Sequence, residues 1–115
     1  MLPKINRIKK KKDFEVIFRN SKSLKSNLFI FKIAKNNLGL NRFGFVISQK
    51  VSKKATLRNK IKRRLTEAVK NELKKIKIGT DLVIIALPGI EKKELSEIGK
   101  AINSALVEAK LIIKD

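Results

Sequence analysis

Apolar and polar positions alternate along this chain with two different periods. Phe14, Ile17 and Phe18 recur at the i, i+3, i+4 spacing of one helical face, which predicts a helix over residues 11–19 with Asp13 near its positive end. From residue 28 to 35 the period drops to two, with Phe29, Phe31 and Ile33 on one side and Leu28, Ile30 and Lys32 on the other. That pattern predicts a strand. Residues 21–27, rich in Ser and Lys, read as a loop or an edge strand, with room for a short extra strand at 23–25. A turn at 36–41 leads to a second strand at 42–48, where Phe43, Phe45 and Ile47 share a face. Two strands joined this closely predict an antiparallel hairpin.

Residues 49–55 form a basic connector, and Thr56 is placed to cap a long helix running to about Lys75, before Gly79. Ile61, Leu65, Ala68, Val69 and Ile76 mark its buried side. Residues 81–87 are almost continuously apolar and end at Pro88-Gly89, as in a strand covered on both faces. Residues 91–110 then predict a helix with Leu95, Ile98, Ile102, Ala105, Leu106 and Ala109 toward the core. The order α-β-β-α-β-α, with the optional edge strand, predicts an α/β (α+β) sheet with helices packed on it, as one domain over residues 1–115.

Charge changes the picture. The 115 residues carry 29 Lys or Arg against 10 Asp or Glu, a net charge of +19, while 43% are hydrophobic. A folded basic domain is expected rather than a basic tail. The first 80 residues hold 24 of the cations, with only Asp13, Glu15, Glu67 and Glu72 against them, whereas the last 25 are neutral or nearly so. Such a field is self-repelling unless a polyanion neutralises it. Nucleic acid is the leading partner and an anionic membrane surface the weaker alternative. No stretch approaches the roughly 20 apolar residues of a membrane span, and the N-terminus lacks a signal-peptide run. A soluble, cytoplasmic protein is expected.

His and Cys are both absent. That removes Ser-His-Asp and Cys-His nucleophile systems, thiol redox chemistry and the usual zinc ligands. No side chain stands out as catalytic, and the protein is a poor candidate for a stand-alone enzyme.

The long helix carries the strongest pattern. Phased by its apolar side, it turns Asn59, Lys60, Arg63, Arg64 and Glu67 outward, with Arg58 and Lys62 at the boundary. Five cations between residues 58 and 64 crowd one another and oppose the helix dipole. An Arg fork and an Asn amide at such a place suit phosphate and 2′-hydroxyl oxygens.

The run Arg58-Asn59-Lys60-Ile61-Lys62-Arg63 resembles the Arg-Asn-Arg-x-x-Lys/Arg signature of the bacterial ribonuclease P protein component. The connector Ser48-Gln49-Lys50-Val51-Ser52-Lys53-Lys54 is similar to that family's Ser-Lys-Lys segment. Asn6-Arg7, Asp13-Phe14 and Phe18 resemble its N-terminal region, and residues 81–88 its strand after the helix. Lys60 departs from the signature's second Arg, Thr66 from a further helix Arg, and Phe31 from a common Tyr.

The resemblance implies a two-layer sandwich with a left-handed βαβ crossover, against the usual right-handed rule. It also implies a protein subunit that assists a catalytic RNA, with magnesium bound mainly by that RNA, in removing the 5′ leader of precursor tRNA. By position, Arg58, Asn59, Lys60, Lys62 and Arg63, with Asn6 and Arg7, would bind the RNA subunit. Phe14, Phe18 and Phe31, with Lys50, would line a cleft for the single-stranded leader, where aromatic faces stack on unpaired bases. Plain core packing is the competing reading for each Phe. A ribosomal-type structural RNA-binding protein would share the charge and size, whereas a DNA-binding reading lacks a dimerisation heptad or helix-turn-helix.

Overall fold

The computed structural model describes residues 2–112. In chain order they form α1 (Lys11–Asn20), β1 (Lys22–Lys25), β2 (Phe29–Lys35), β3 (Arg42–Val46), α2 (Ala55–Lys70), β4 (Thr80–Ala86) and α3 (Leu95–Glu108), with short 3₁₀ turns at Lys4–Asn6, Leu73–Lys75 and Ile90–Lys92. The strands make one sheet in the order β1-β2-β4-β3.

The hairpin expected between β2 and β3 is not formed. The apolar strand β4 inserts between them, antiparallel to β2 through Phe31↔Ile84 and parallel to β3 through Phe45↔Ile84. A hairpin would have left β4 at an edge, with its backbone groups unpaired and one apolar face open, and those costs outweigh the short loop between β2 and β3. The unit β3-α2-β4 is therefore a parallel crossover, of the kind that needs a helix to return the chain.

Alternation along the strands divides the interior. Phe29, Phe31, Phe43, Leu82 and Ile84 point to one face and meet Ile61, Leu65 and Val69 of α2 and Ile98, Ile102 and Leu106 of α3. The rings of Phe29 and Phe31 stack with centroids 4.9 Å apart. Each such fully buried side chain contributes about 1.5–3 kcal/mol. This sheet and helical pair are the two layers of an α+β sandwich. On the opposite face Val83 packs with Ile8 and Ile17, bordered by Phe14, Ala34, Val46 and Ile85. Here α1 lies against the sheet.

Several boundaries differ from the sequence pattern. The first residue before α2 is Lys54, with no side-chain cap; Ser52 Oγ accepts from Lys54 N at 3.2 Å, and this turn starts the helix ahead of Thr56, which is exposed in the first turn. The helix ends at Lys70 rather than near Lys75. Asn41 holds the following loop to the end of the sheet, donating to Ile76 O at 3.2 Å and accepting from Thr80 N at 3.0 Å, and the helix stops early enough for Ile76 to reach that place. Strand β3 stops at Val46, although Ile47 still packs on the core. A 3₁₀ turn that buries Ile90 precedes α3, so α3 starts at Leu95, whose side chain is exposed instead of facing the core.

Candidate nucleic-acid interface

Because Ile61, Leu65, Ala68 and Val69 bury one side of α2, the opposite side carries Asn59, Lys60, Lys62 and Arg63, all exposed. Two flanking arginines are tied down. Arg58 Nη1 donates to Ser52 O at 3.0 Å, fastening the connector. Arg64, read from the sequence as outward, is half-buried and donates to Lys93 O at 2.8 Å, because the turn ahead of α3 folds over that side of α2. The connector is anchored by buried Val51, while Lys50, Lys53 and Lys54 remain exposed. With no acid and no cap in its first turn, α2 presents free N–H groups amid this charge, an arrangement that favours anions.

The N-terminal segment is held along the outer edge of β3. Arg7 makes a parallel bridge to Phe43, and Ile8 N donates to Phe43 O at 2.9 Å. Asn6 Nδ2 donates to Asn41 O and Arg7 Nε to Leu2 O, each at 2.7 Å. Asn6 is thus part of the scaffold. The Nη groups of Arg7 have no partner among the described residues.

A concavity of about 790 Å³ crosses this edge. One wall is the basic side of α2, with Asn59, Lys62, Arg63, Thr66 and Glu67; the N-terminal segment adds Arg7 and Lys9; Gly44 and Phe45 form the floor; Phe14 of α1 stands at the far side. Residues assigned from the sequence to two surfaces, Arg7 with the α2 triad and Phe14 in the aromatic cleft, line one continuous hollow. Arg58, Lys60, Asn6, Phe18 and Lys50 lie outside it. Phe18 is 42% exposed on α1, a conspicuous position for so large an apolar side chain.

Phe31 does not belong to the cleft. Its side chain is fully buried against Phe29 in the main core, because strand alternation turns residues 29, 31 and 33 toward α2 and α3. Lys32 occupies the α1-facing register, and its Nζ donates to Ser23 Oγ at 2.6 Å. Gly44 was not singled out by the sequence reading. A Cβ built there would lie 2.5 Å from Phe14 Cε1, so the ring rests directly on the strand backbone. A glycine inside a strand is the available sign of such an approach.

A second hollow, of about 830 Å³, is lined by Lys22, Lys35, Lys77 and Lys110 where α1 and α3 end. Cations there offset the negative ends of two helices.

Two residues before Gly44 on β3, Arg42 joins three elements. Its Nε and Nη2 donate to Asp81 Oδ1 and Oδ2 at 2.9 and 2.7 Å, and its Nη1 reaches Asp13 Oδ2 of α1 at 3.4 Å. Hydrogen bonding to Asp81, opposed by burial, raises the Arg42 pKa above its ordinary value.

Among the described residues no helix is long and apolar enough to cross a membrane. A family model for ribonuclease P matches residues 2–110. The ribonuclease P protein component of Alkaliphilus metalliredigens is 35% identical over 107 residues, covering 93% of this chain and 96% of its own length; that of Synechocystis is 41% identical over 88 residues, covering 76% and 71%. Among solved structures, the ribonuclease P protein of Staphylococcus aureus superposes with a TM-score of 0.85 at 29% identity, covering 94% of this chain and 98% of that one. The Thermotoga maritima ribonuclease P protein gives a TM-score of 0.75 at 27% identity, covering 95% and 98%. These likenesses agree with the pattern of the α2 sequence, and the chain belongs to the ribonuclease P protein family, as a protein subunit of ribonuclease P.

Proposed function

We propose that this protein binds the catalytic RNA of ribonuclease P through Arg7, Asn59, Lys62 and Arg63, with Lys60 and Arg58 beside them, and that it receives the 5′ leader of precursor tRNA along α1. The observation that carries this reading is the one hollow in which the α2 cations meet the Phe14 ring across the outer side of β3. Cations on the helix wall suit the phosphates of a folded RNA. Phe14 and half-exposed Phe18 offer faces on which unpaired bases stack without sequence demand, and Lys50 and Lys32 stand ready for phosphates.

In this reading the protein supplies binding and position, and the RNA supplies the chemistry. Among the described residues Glu67 is the only acid lining the hollow. Among the described residues no three His, Cys, Asp or Glu side chains are grouped as a metal site would require, and the magnesium is assigned to RNA oxygens. The setting is the cytoplasm, where precursor tRNA is made.

The test is reconstitution with a bacterial ribonuclease P RNA. The protein is expected to lower the magnesium needed for cleavage of precursor tRNA at its 5′ end and to tighten precursor binding over mature tRNA. RNA binding without either effect would favour a structural RNA-binding role instead.

A further inference from the structure

Helix α1 holds the sheet with few side chains. Ile17 is its one fully buried side chain, and the half-buried Phe14 ring packs beside it on β3 at Gly44. A further point of attachment is ionic. Asp13 lies one turn before Ile17, on the same side of the helix, and meets Arg42 Nη1 at 3.4 Å.

Arg42 is itself braced. Its Nε and Nη2 grip the buried carboxylate of Asp81 in a bidentate pair, and Asn36 Nδ2 donates to the same Asp81 Oδ1 at 2.7 Å. The guanidinium is therefore a fixed post that rises from β3 between the sheet and α1. Phe14 follows Asp13 in sequence, and its ring lies on the β3 backbone at Gly44, two residues along from Arg42. The ion pair and the ring are thus neighbouring contacts of one helical turn on one strand.

We infer that Asp13 is a positioning residue for leader recognition, acting through Arg42 to fix the pitch of α1 and hence the placement of Phe14 and Phe18. The inference rests on the leader reading of the cleft given above. It assigns a negative charge, on a surface that binds a polyanion, a favourable part in that binding.

The sign of the effect makes the test decisive. Electrostatics alone predicts that removing an acid strengthens RNA binding. The holoenzyme is reconstituted with Asp13→Ala, Asp13→Asn and Asp13→Glu proteins, and dissociation constants are measured for precursor tRNA carrying a leader and for mature tRNA. Asp13→Ala and Asp13→Asn are expected to weaken precursor binding about threefold to tenfold, as when stacking is partly lost, with mature tRNA and the RNA subunit bound as before. Asp13→Glu, which keeps the charge and can reach Arg42, is expected to restore precursor binding.

Thermal melts of each variant exclude unfolding. Unchanged or tighter precursor binding by Asp13→Ala, while Phe14→Ala weakens it, would overturn the positioning role and leave the cleft reading standing. If Phe14→Ala and Phe18→Ala also leave the leader's contribution intact, the cleft reading falls and the inference with it.

Discussion

The Phe14 ring occupies the space that a side chain on Gly44 would need: a Cβ there would come within 2.5 Å of Cε1 and 2.7 Å of Cζ. Alanine in a strand ordinarily improves on glycine, so Gly44→Ala tests the contact by its sign. We expect a loss of about 1–3 kcal/mol in urea unfolding, as for overpacked sites. Phe14→Ala should relieve most of that loss, so that the double variant falls well short of additivity.

Arginines on α2 should separate by what they touch. Arg63 makes no hydrogen bond within the described chain and lines the hollow, whereas Arg64 is bound to Lys93 O. Arg63→Ala is expected to weaken binding to ribonuclease P RNA and to lower the slope of log K against log salt by about one. Arg64→Ala should reduce stability and leave that slope nearly unchanged. Equal slopes for the two variants would contradict the division.

Phe18 is 42% exposed, so its removal should cost no more than about 1 kcal/mol of stability. Phe18→Ala is nevertheless expected to impair binding of leader-bearing tRNA. A comparison of precursor and mature tRNA affinities checks this, and equal losses for both would place Phe18 outside the leader path.

Removing Arg42 leaves Asp81 buried without its bidentate partner. Arg42→Ala should cost about 3 kcal/mol, at the lower end for a broken buried pair because one edge of the guanidinium reaches water. The Arg42 pKa is raised in the folded protein, so its stabilisation is fully present below the ordinary arginine value and is lost only as pH rises through the higher folded one. The difference between the wild-type and Arg42→Ala proteins should therefore stay constant from about pH 7 to 10, as measured by denaturant unfolding.

Periodicity located the three helices, β2 and β3 because each has one dominant apolar face, and the all-apolar run at 82–86 announced a doubly covered strand; β1, exposed except at half-buried Leu24, carries no such face and stays between a loop and an edge strand in the sequence. What it could not supply was the partner of that strand. Pairing of β2 and β3 is favoured by a short turn, and the insertion of β4 is favoured by burial between residues far apart in sequence. The site was legible in the same measure. Charge crowding picked out Asn59, Lys62 and Arg63, whereas the loss of Arg64 to Lys93 depends on a turn 29 residues away. For Phe31 and Lys32, one residue of register decides which face of the sheet each joins. Gly44 had no charge or aromatic ring to draw attention, and its importance lies in what its missing side chain leaves room for.

The central position of β4 has a consequence for how the molecule is made. Strands β2 and β3 have no hydrogen-bonding partner in each other, so the sheet cannot close until residues 80–86 are available. During synthesis those residues emerge after all of the excess charge, which lies in the first 80. A ribosome translating this message thus holds a long, strongly cationic chain with no finished core, surrounded by RNA. Pairing of β4 and packing of α3 turn that nonspecific polycation into a shaped surface, and long-range closure of this kind is the slow step expected of the fold.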